Sequence, residues 1–131
     1  MRGSMKAYKS VALDSQKTLA SPYKVVQMLL SGALERLARA RSAMEQGKPA
    51  EQGELLGATM AIVAELRAAL NHEEGAEIAA NLDNLYEFIM GELVLANSEN
   101  SVERLEAISG LLRDIKESWD AIPMEQQQVP A

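Results

Sequence analysis

Apolar residues recur along most of this chain at intervals of three and four, the spacing that places side chains on one face of an α-helix. Short polar segments separate four such stretches, and the pattern predicts helices over residues 21–46, 49–71, 75–96 and 101–122. Because short connections force successive helices to run antiparallel, we expect an all-α fold. The predicted architecture is an up-down-up-down four-helix bundle over residues 21–122.

Local residues mark several of the helix ends. Ser21 is a good N-cap, and Pro22 suits a first helical turn because its missing N–H has no partner there. Gly47 is typical of a C-terminal stop. Asn100 and Glu103 resemble a capping box, which predicts that the last helix begins at this pair.

Three segments lie outside the predicted bundle. Residues 1–4 resemble a remnant of an expression vector and are left out of the fold argument. Residues 5–20 carry only a weak helical spacing, which predicts a mobile N-terminal arm or a short helix. Residues 123–131 follow the last apolar stripe and are mostly polar, so we expect a disordered tail.

Composition and charge narrow the class of protein. Of 131 residues, 20 are Ala and 17 are Leu, which favours helices over strands. The net charge of −6 makes nucleic acid a poor partner. No apolar run is long enough for a membrane span, and no secretory signal pattern is visible, so we expect a cytoplasmic protein without membrane insertion. With no Cys, disulfides and thiolate metal sites are excluded.

No motif for catalysis or cofactor binding is visible. A di-iron helical bundle needs Glu-x-x-His pairs, but the only His is His72 and the residue three positions before it is Ala69. A Ser-His-Asp arrangement would also depend on His72, and no Gly-rich phosphate loop occurs. The sequence therefore predicts neither an enzyme, nor a metal site, nor a cofactor.

The third predicted helix carries more apolar surface than one narrow stripe requires. At 100° per residue, one face holds five apolar residues: Ile78, Leu82, Leu85, Ile89 and Ala96. Ala79, Tyr86 and Met90 widen this face, while Phe88 and Leu95 lie on the opposite flank, with Leu93 close to the main stripe. Two interpretations stay open: a central helix that contacts two neighbours, or a groove that receives an apolar partner segment.

Short segments in a fixed order resemble a known family. They run from Ser21-Pro22-Tyr23-Lys24 with Gly32-Ala33-Leu34, through Leu66-Arg67, Asn81-Leu82 and Leu85-Tyr86, to Ala96-Asn97 and Leu111-Leu112-Arg113-Asp114 with Trp119. In their order and spacing, roughly residues 8–122 resemble the flagellar secretion chaperones of the FliS family.

The resemblance implies a cytoplasmic chaperone that binds the C-terminal segment of flagellin. Binding would prevent premature polymerisation and keep flagellin competent for flagellar type III secretion, without a nucleotide. Export-apparatus components and a second copy of the chain are further candidate partners. The alternative is a structural or regulatory helical-bundle interaction module with no export role.

The same resemblance assigns residues to the partner-binding groove. The main candidates are Leu82, Tyr86, Met90 and Leu93. Leu66, Leu70, Leu112 and Trp119 are secondary candidates, because their seam positions make them core candidates first. Tyr8 stands where the family's N-terminal arm carries a Tyr that occupies the groove. Gly91-Glu92 departs from the family pattern, which has a basic pair there, and this change removes positive charge from the third helix.

Overall fold

The computed structural model describes residues 21–126, and this part of the chain contains no strand. Four α-helices follow one another: α1 (Pro22–Glu45), α2 (Pro49–Ala68), α3 (His72–Glu99) and α4 (Val102–Asp120). A 3-10 helix at Met124–Gln126 comes after Pro123, where the sequence indicated no regular structure. The predicted all-α four-helix bundle is confirmed. Residues 1–20 and 127–131, with the predicted arm and the rest of the predicted tail, lie outside the described residues.

Each helix packs against the next, and α1 also packs against α4, so the four helices close a ring around one core. The core is built mainly of Leu, Ile, Val and Ala side chains, and its largest fully buried members come from all four helices: Leu30, Leu37, Val63, Ile89, Leu93, Leu105, Ile108 and Leu112. Among the helices of the described segment, none is long and apolar enough to cross a membrane.

The predicted start and stop of α1 are both present in the structure. The Ser21 hydroxyl accepts a hydrogen bond from the Lys24 N–H at 3.2 Å. Gly47 has a φ of +66°, a backbone conformation that is strained for any residue with a Cβ. It lets the Lys48 N–H reach the Ala43 carbonyl at 2.9 Å, which closes the helix in a Schellman turn.

Two other helix ends differ from the prediction. α2 ends at Ala68 and α3 begins at His72, three residues before the predicted start, because the Asn71 side chain accepts from the Glu74 N–H at 3.0 Å and caps α3. The predicted capping box at Asn100 is wrong. Ser101 caps α4 by accepting from the Arg104 N–H at 3.1 Å.

The buried face of α3 is turned by about 50° from the stripe expected on periodicity alone, at 100° per residue. Ile78, expected to face inward, is 71% exposed, and Leu82 and Leu85 are only half-buried. The buried residues of α3 are Ala79, Tyr86, Ile89, Leu93 and Ala96. Because α3 is apolar around much of its circumference, its contacts with α2 and α4 decide which side is buried.

Candidate partner-binding surface

An apolar cavity of about 150 Å³ opens at the end of the bundle where α1 begins, α2 ends, α3 begins and α4 ends. We call it the corner cavity. Side chains of all four helices form its walls: Val26, Leu66, Leu70, Ile78, Leu82, Tyr86, Ile115 and Trp119. Because the cavity has almost no polar lining, a water molecule inside it would find few hydrogen-bond partners. An apolar side chain is therefore its favoured occupant.

The first turn of α3 forms one lip of the corner cavity. Gly75 lines the cavity, and the next residue, Ala76, has φ 44° and ψ −116°, so the first turn is bent away from the helix axis. A Cβ added to Gly75 would lie 2.8 Å from the Cβ of Ala79. That separation is too short for two carbon atoms. The bend therefore depends on Gly75, and it leaves Ile78 exposed beside the opening.

The opposite wall is fixed by an aromatic pair between α1 and α4. Trp119 stacks on Tyr23 with 5.4 Å between the ring centroids and 13° between the ring planes. The Trp119 Nε1–H donates to the Tyr23 carbonyl at 3.0 Å. Nearby, the Gln27 side-chain amide donates to Asp120 at 2.8 Å. A part-buried hydrogen bond and a stacked ring therefore both hold the indole in place within the chain.

The residues expected to line a groove do not all lie together. Leu66, Leu70, Leu82, Tyr86 and Trp119 line the corner cavity. Leu93 and Leu112, at 1% and 0% exposed, are core residues and lie on no surface. Met90 is half-buried against the core and away from the cavity. Tyr8 lies outside the described residues, so its role stays a prediction.

Tyr86 is a wall of the cavity and also part of the core. It is 3% exposed, and this burial raises the pKa of its hydroxyl. A charged substitution at Tyr86 would therefore disturb the fold as well as the cavity. Val26 and Ile115 also line the cavity, and so does Ile78, which the sequence placed on the main apolar stripe of the third predicted helix. For Ile78, the only sequence signal was its place at the first turn of a helix with excess apolar surface.

Ion pairs hold α3 to both of its neighbours. Arg67 on α2 pairs with Asp83 at 2.7 Å and with Glu87 at 3.6 Å. The guanidinium of Arg67 donates a hydrogen bond to Asp83 and lowers the pKa of that carboxyl. On α4, Arg104 pairs with Glu92 and, at 2.9 Å, with Glu99. The Glu92 that departs from the family pattern is therefore matched by a cation within the chain.

Charge is unevenly distributed among the helices. α3 carries seven carboxylates and neither Lys nor Arg. α1 carries four basic residues and two carboxylates. Within the described residues, no group of three His, Asp or Glu side chains is arranged to hold a metal ion. The surface features that distinguish this bundle are thus apolar and acidic.

Comparison with known proteins gives one consistent result. A family model described as "Flagellar protein FliS" matches residues 4–127. The flagellar secretion chaperone FliS of Vibrio cholerae is 45% identical over 131 residues, covering 100% of this chain and 96% of that protein. FliSB of Pseudomonas aeruginosa, also a flagellar secretion chaperone, is 44% identical over 118 residues, or 90% of this chain and 94% of its own. The Salmonella typhimurium chaperone FliS is 40% identical over 119 residues, covering 90% and 88%.

Proposed function

Because the chain belongs to the FliS family of flagellar secretion chaperones, we propose that its client is flagellin and that the C-terminal segment of flagellin binds at the corner cavity. A chaperone of this family is not an enzyme, so binding alone carries the function. Held in this way in the cytoplasm, flagellin is kept from premature polymerisation until it is handed to the export apparatus.

The observation that carries this proposal is the apolar opening itself. Ile78 is 71% exposed beside a cavity lined by Leu70, Leu82 and Trp119. Covering apolar surface stabilises a complex by about 25 cal/mol per Å². A partner that inserts an apolar side chain here gains part of that energy, and the Tyr23–Trp119 contacts already hold one wall in place.

A partner segment that is unfolded when free suits such a surface. It pays the entropy of ordering only when it binds, and it can follow the bundle over a long path. A segment covered in this way is unavailable for filament contacts. Its release needs no chemistry, because the complex is held by non-covalent contacts alone.

Calorimetric titration tests the proposal. This chain is titrated with monomeric full-length flagellin and, separately, with flagellin that lacks its C-terminal segment. We expect one-to-one binding to the first protein and loss of binding to the second. Equal affinity for both proteins, or no binding to either, would contradict the proposal.

A pair of variants places the binding at the corner cavity. Ile78→Glu introduces a charge beside the opening, so we expect affinity for flagellin to fall about tenfold or more. Ala61→Glu is the matched control: it adds the same charge to an exposed Ala of α2 that does not line the corner cavity. Both positions are exposed, so far-UV circular dichroism should stay helical in both variants. Equal affinities of the two variants would place the partner elsewhere.

A further inference from the structure

The first turn of α3 is exposed over most of its surface. We call residues 71–75, which cap and form this turn, the α3 lip. Three of its five residues are exposed: His72, Glu73 and Glu74. The Asn71 side chain accepts from the Glu74 N–H at 3.0 Å, and the Asn71 carbonyl accepts from the Gly75 N–H at 2.8 Å. Because both hydrogen bonds lie within the lip, they would be kept if the lip moved as a unit.

A strained residue joins the α3 lip to the body of the helix. Ala76 has φ 44° and ψ −116°, and it is exposed. Its side chain has no polar group that could stabilise this conformation, so the backbone there has a higher free energy than a helical one. With a helical φ of about −63° at Ala76, the lip and the body would form one straight helix. Ala76 is therefore the point at which two arrangements of the lip differ.

The present arrangement folds the lip back onto the body of α3. The Cβ position of Gly75 is 2.8 Å from the Cβ of Ala79, and Ala79 is 3% exposed. Electrostatics agrees with this contact, because Arg67 and, in addition, the charge of His72 lower the pKa of Asp83. A straight helix would separate residues 72 and 83 by about 16 Å along its axis, where exposed charges are largely screened.

A change of Ala76 to helical angles would take the α3 lip off the corner cavity. Residues 72–75 would then continue along the axis of α3. Asn71 and Gly75, which now line the cavity, would leave its wall, and Ala79 would become accessible beside Leu82. This open arrangement is free of the strain but leaves more apolar surface in water. The closed arrangement is therefore favoured in the free chain.

A partner in the corner cavity changes this balance. The closed cavity, at about 150 Å³, accepts one side chain the size of benzene. The open arrangement offers a wider apolar surface, and a partner segment that covers it removes the cost of opening while the strain at Ala76 stays relieved. A ligand that binds one of two arrangements more tightly shifts the population toward that arrangement. We therefore expect the partner segment to favour the open lip.

We propose that the α3 lip is a hinged cover of the corner cavity, which closes the cavity in the free chain and moves away at Ala76 when the partner segment binds. The coupling to flagellin rests on the proposed function. The hinge itself does not, and it can be tested without flagellin.

Gly75→Ala and Ala76→Gly should shift the hinge in opposite directions. In Gly75→Ala, the new Cβ would lie too close to Ala79 in the closed lip, and Ala also favours the helix, so the open lip gains. In Ala76→Gly, the strain of the closed lip is removed and the straight helix is weakened, so the closed lip gains. Neither variant adds a charge or a large side chain.

Two further variants complete the set. Ala76→Val is a second opening variant at an exposed position, because a β-branched residue disfavours a positive φ. Gly57→Ala is the matched control. Gly57 is an exposed Gly within α2 that does not line the corner cavity, and nothing lies within 4 Å of its Cβ position. Far-UV circular dichroism of each variant shows whether the bundle is intact.

Quenching of Trp119 fluorescence by acrylamide measures the hinge in the free chain. Trp119 is the only Trp of the chain and lines the corner cavity, so an open lip should expose it. Gly75→Ala and Ala76→Val should raise the quenching constant about twofold as the population moves to the open lip. Gly57→Ala should match the wild type, and Ala76→Gly should match it or fall below. Wild-type quenching in both opening variants, with their helicity kept, would overturn the hinge.

Calorimetric titration with full-length flagellin tests the coupling. Ala76→Gly should weaken binding about fivefold, because it lowers the fraction of chains with an open lip. The opening variants should bind more tightly than the wild type, and Gly57→Ala should bind equally. A fixed wall predicts the reverse: weaker binding by Gly75→Ala and no change for Ala76→Gly. That result would overturn the coupling. If the wild type binds no flagellin while Trp119 responds as expected, the proposed function fails and the hinge stands.

Discussion

The two ends of the bundle are closed by different chemistry. At one end, Gln52 is 3% exposed and donates to Asn97 at 2.9 Å and to Asn100 at 3.1 Å, so that the start of α2 is tied to the end of α3. At the other end, apolar side chains surround the open corner cavity, and Ile78 projects beside it. One end is sealed by hydrogen bonds, whereas the other leaves apolar surface uncovered.

This difference shows how one fold separates stability from binding. At the closed end, the buried Gln52 amide finds its partners, Asn97 and Asn100, within the chain. At the open end, apolar walls are held in place by the Tyr23–Trp119 stack but remain in contact with water. Truncating buried side chains at the closed end should therefore change stability, and truncating the half-buried or exposed side chains at the open end should mainly change partner affinity.

The largest expected effect comes from two Leu→Ala substitutions. Leu105 lies near the closed end at 1% exposed, and Leu105→Ala should lower the free energy of unfolding by about 2–5 kcal/mol. Leu82 is half-buried in the cavity wall, and Leu82→Ala should lower it by only about 1 kcal/mol while weakening flagellin binding. Urea unfolding and calorimetric titration measure the two quantities. Equal losses of stability would remove the distinction between the ends.

Much of the closed end could be predicted from the sequence, because short-range signals determine it. Gly47 predicted the end of α1, since its left-handed conformation is a local property of the backbone. At the connection between α3 and α4, both Asn100 and Ser101 are suitable N-cap residues. The spacing alone does not show which of them caps α4. Asn100 is held in a left-handed conformation, and its side chain accepts from Gln52, 48 positions earlier in the chain.

The open end could be predicted only in part. Periodicity identifies the face on which Leu82 lies but gives no depth along the bundle axis, so Leu93 looked equivalent and yet lies in the core. The exposure of Ile78 follows from the bend at Ala76, which in turn depends on the close approach of Gly75 to Ala79. Tertiary packing, and not helix propensity, decides such a bend.

A smaller effect is expected when the polar tie at the closed end is removed. Gln52→Ala loses two hydrogen bonds of a buried amide, so the free energy of unfolding should fall by about 1–2 kcal/mol with flagellin affinity unchanged. Gln27→Ala is the matched control at the open end. It removes two exposed hydrogen bonds, the one donated to Asp120 and the one accepted from Lys24, and its effect should stay within about 0.5 kcal/mol. A fall in flagellin affinity for Gln52→Ala would mean that the closed end also takes part in binding.

The smallest expected effect concerns backbone strain. A Gly substitution should raise the free energy of unfolding at the open end but not at the closed end. In the described part of the chain, two residues other than Gly have a positive φ: Ala76 at the open end, with 44°, and Asn100 at the closed end, with 52°. Ala has no side-chain polar group to stabilise that conformation, so Ala76→Gly should raise the free energy of unfolding by about 1 kcal/mol. Asn tolerates the left-handed region, and Asn100 also accepts from Gln52. Asn100→Gly should therefore bring no gain in the free energy of unfolding, or a small loss.

Urea unfolding of both variants measures the difference. A gain at Asn100 as large as that at Ala76 would show that the closed end stores the same strain, and the bend beside the corner cavity would then be no special feature of the open end.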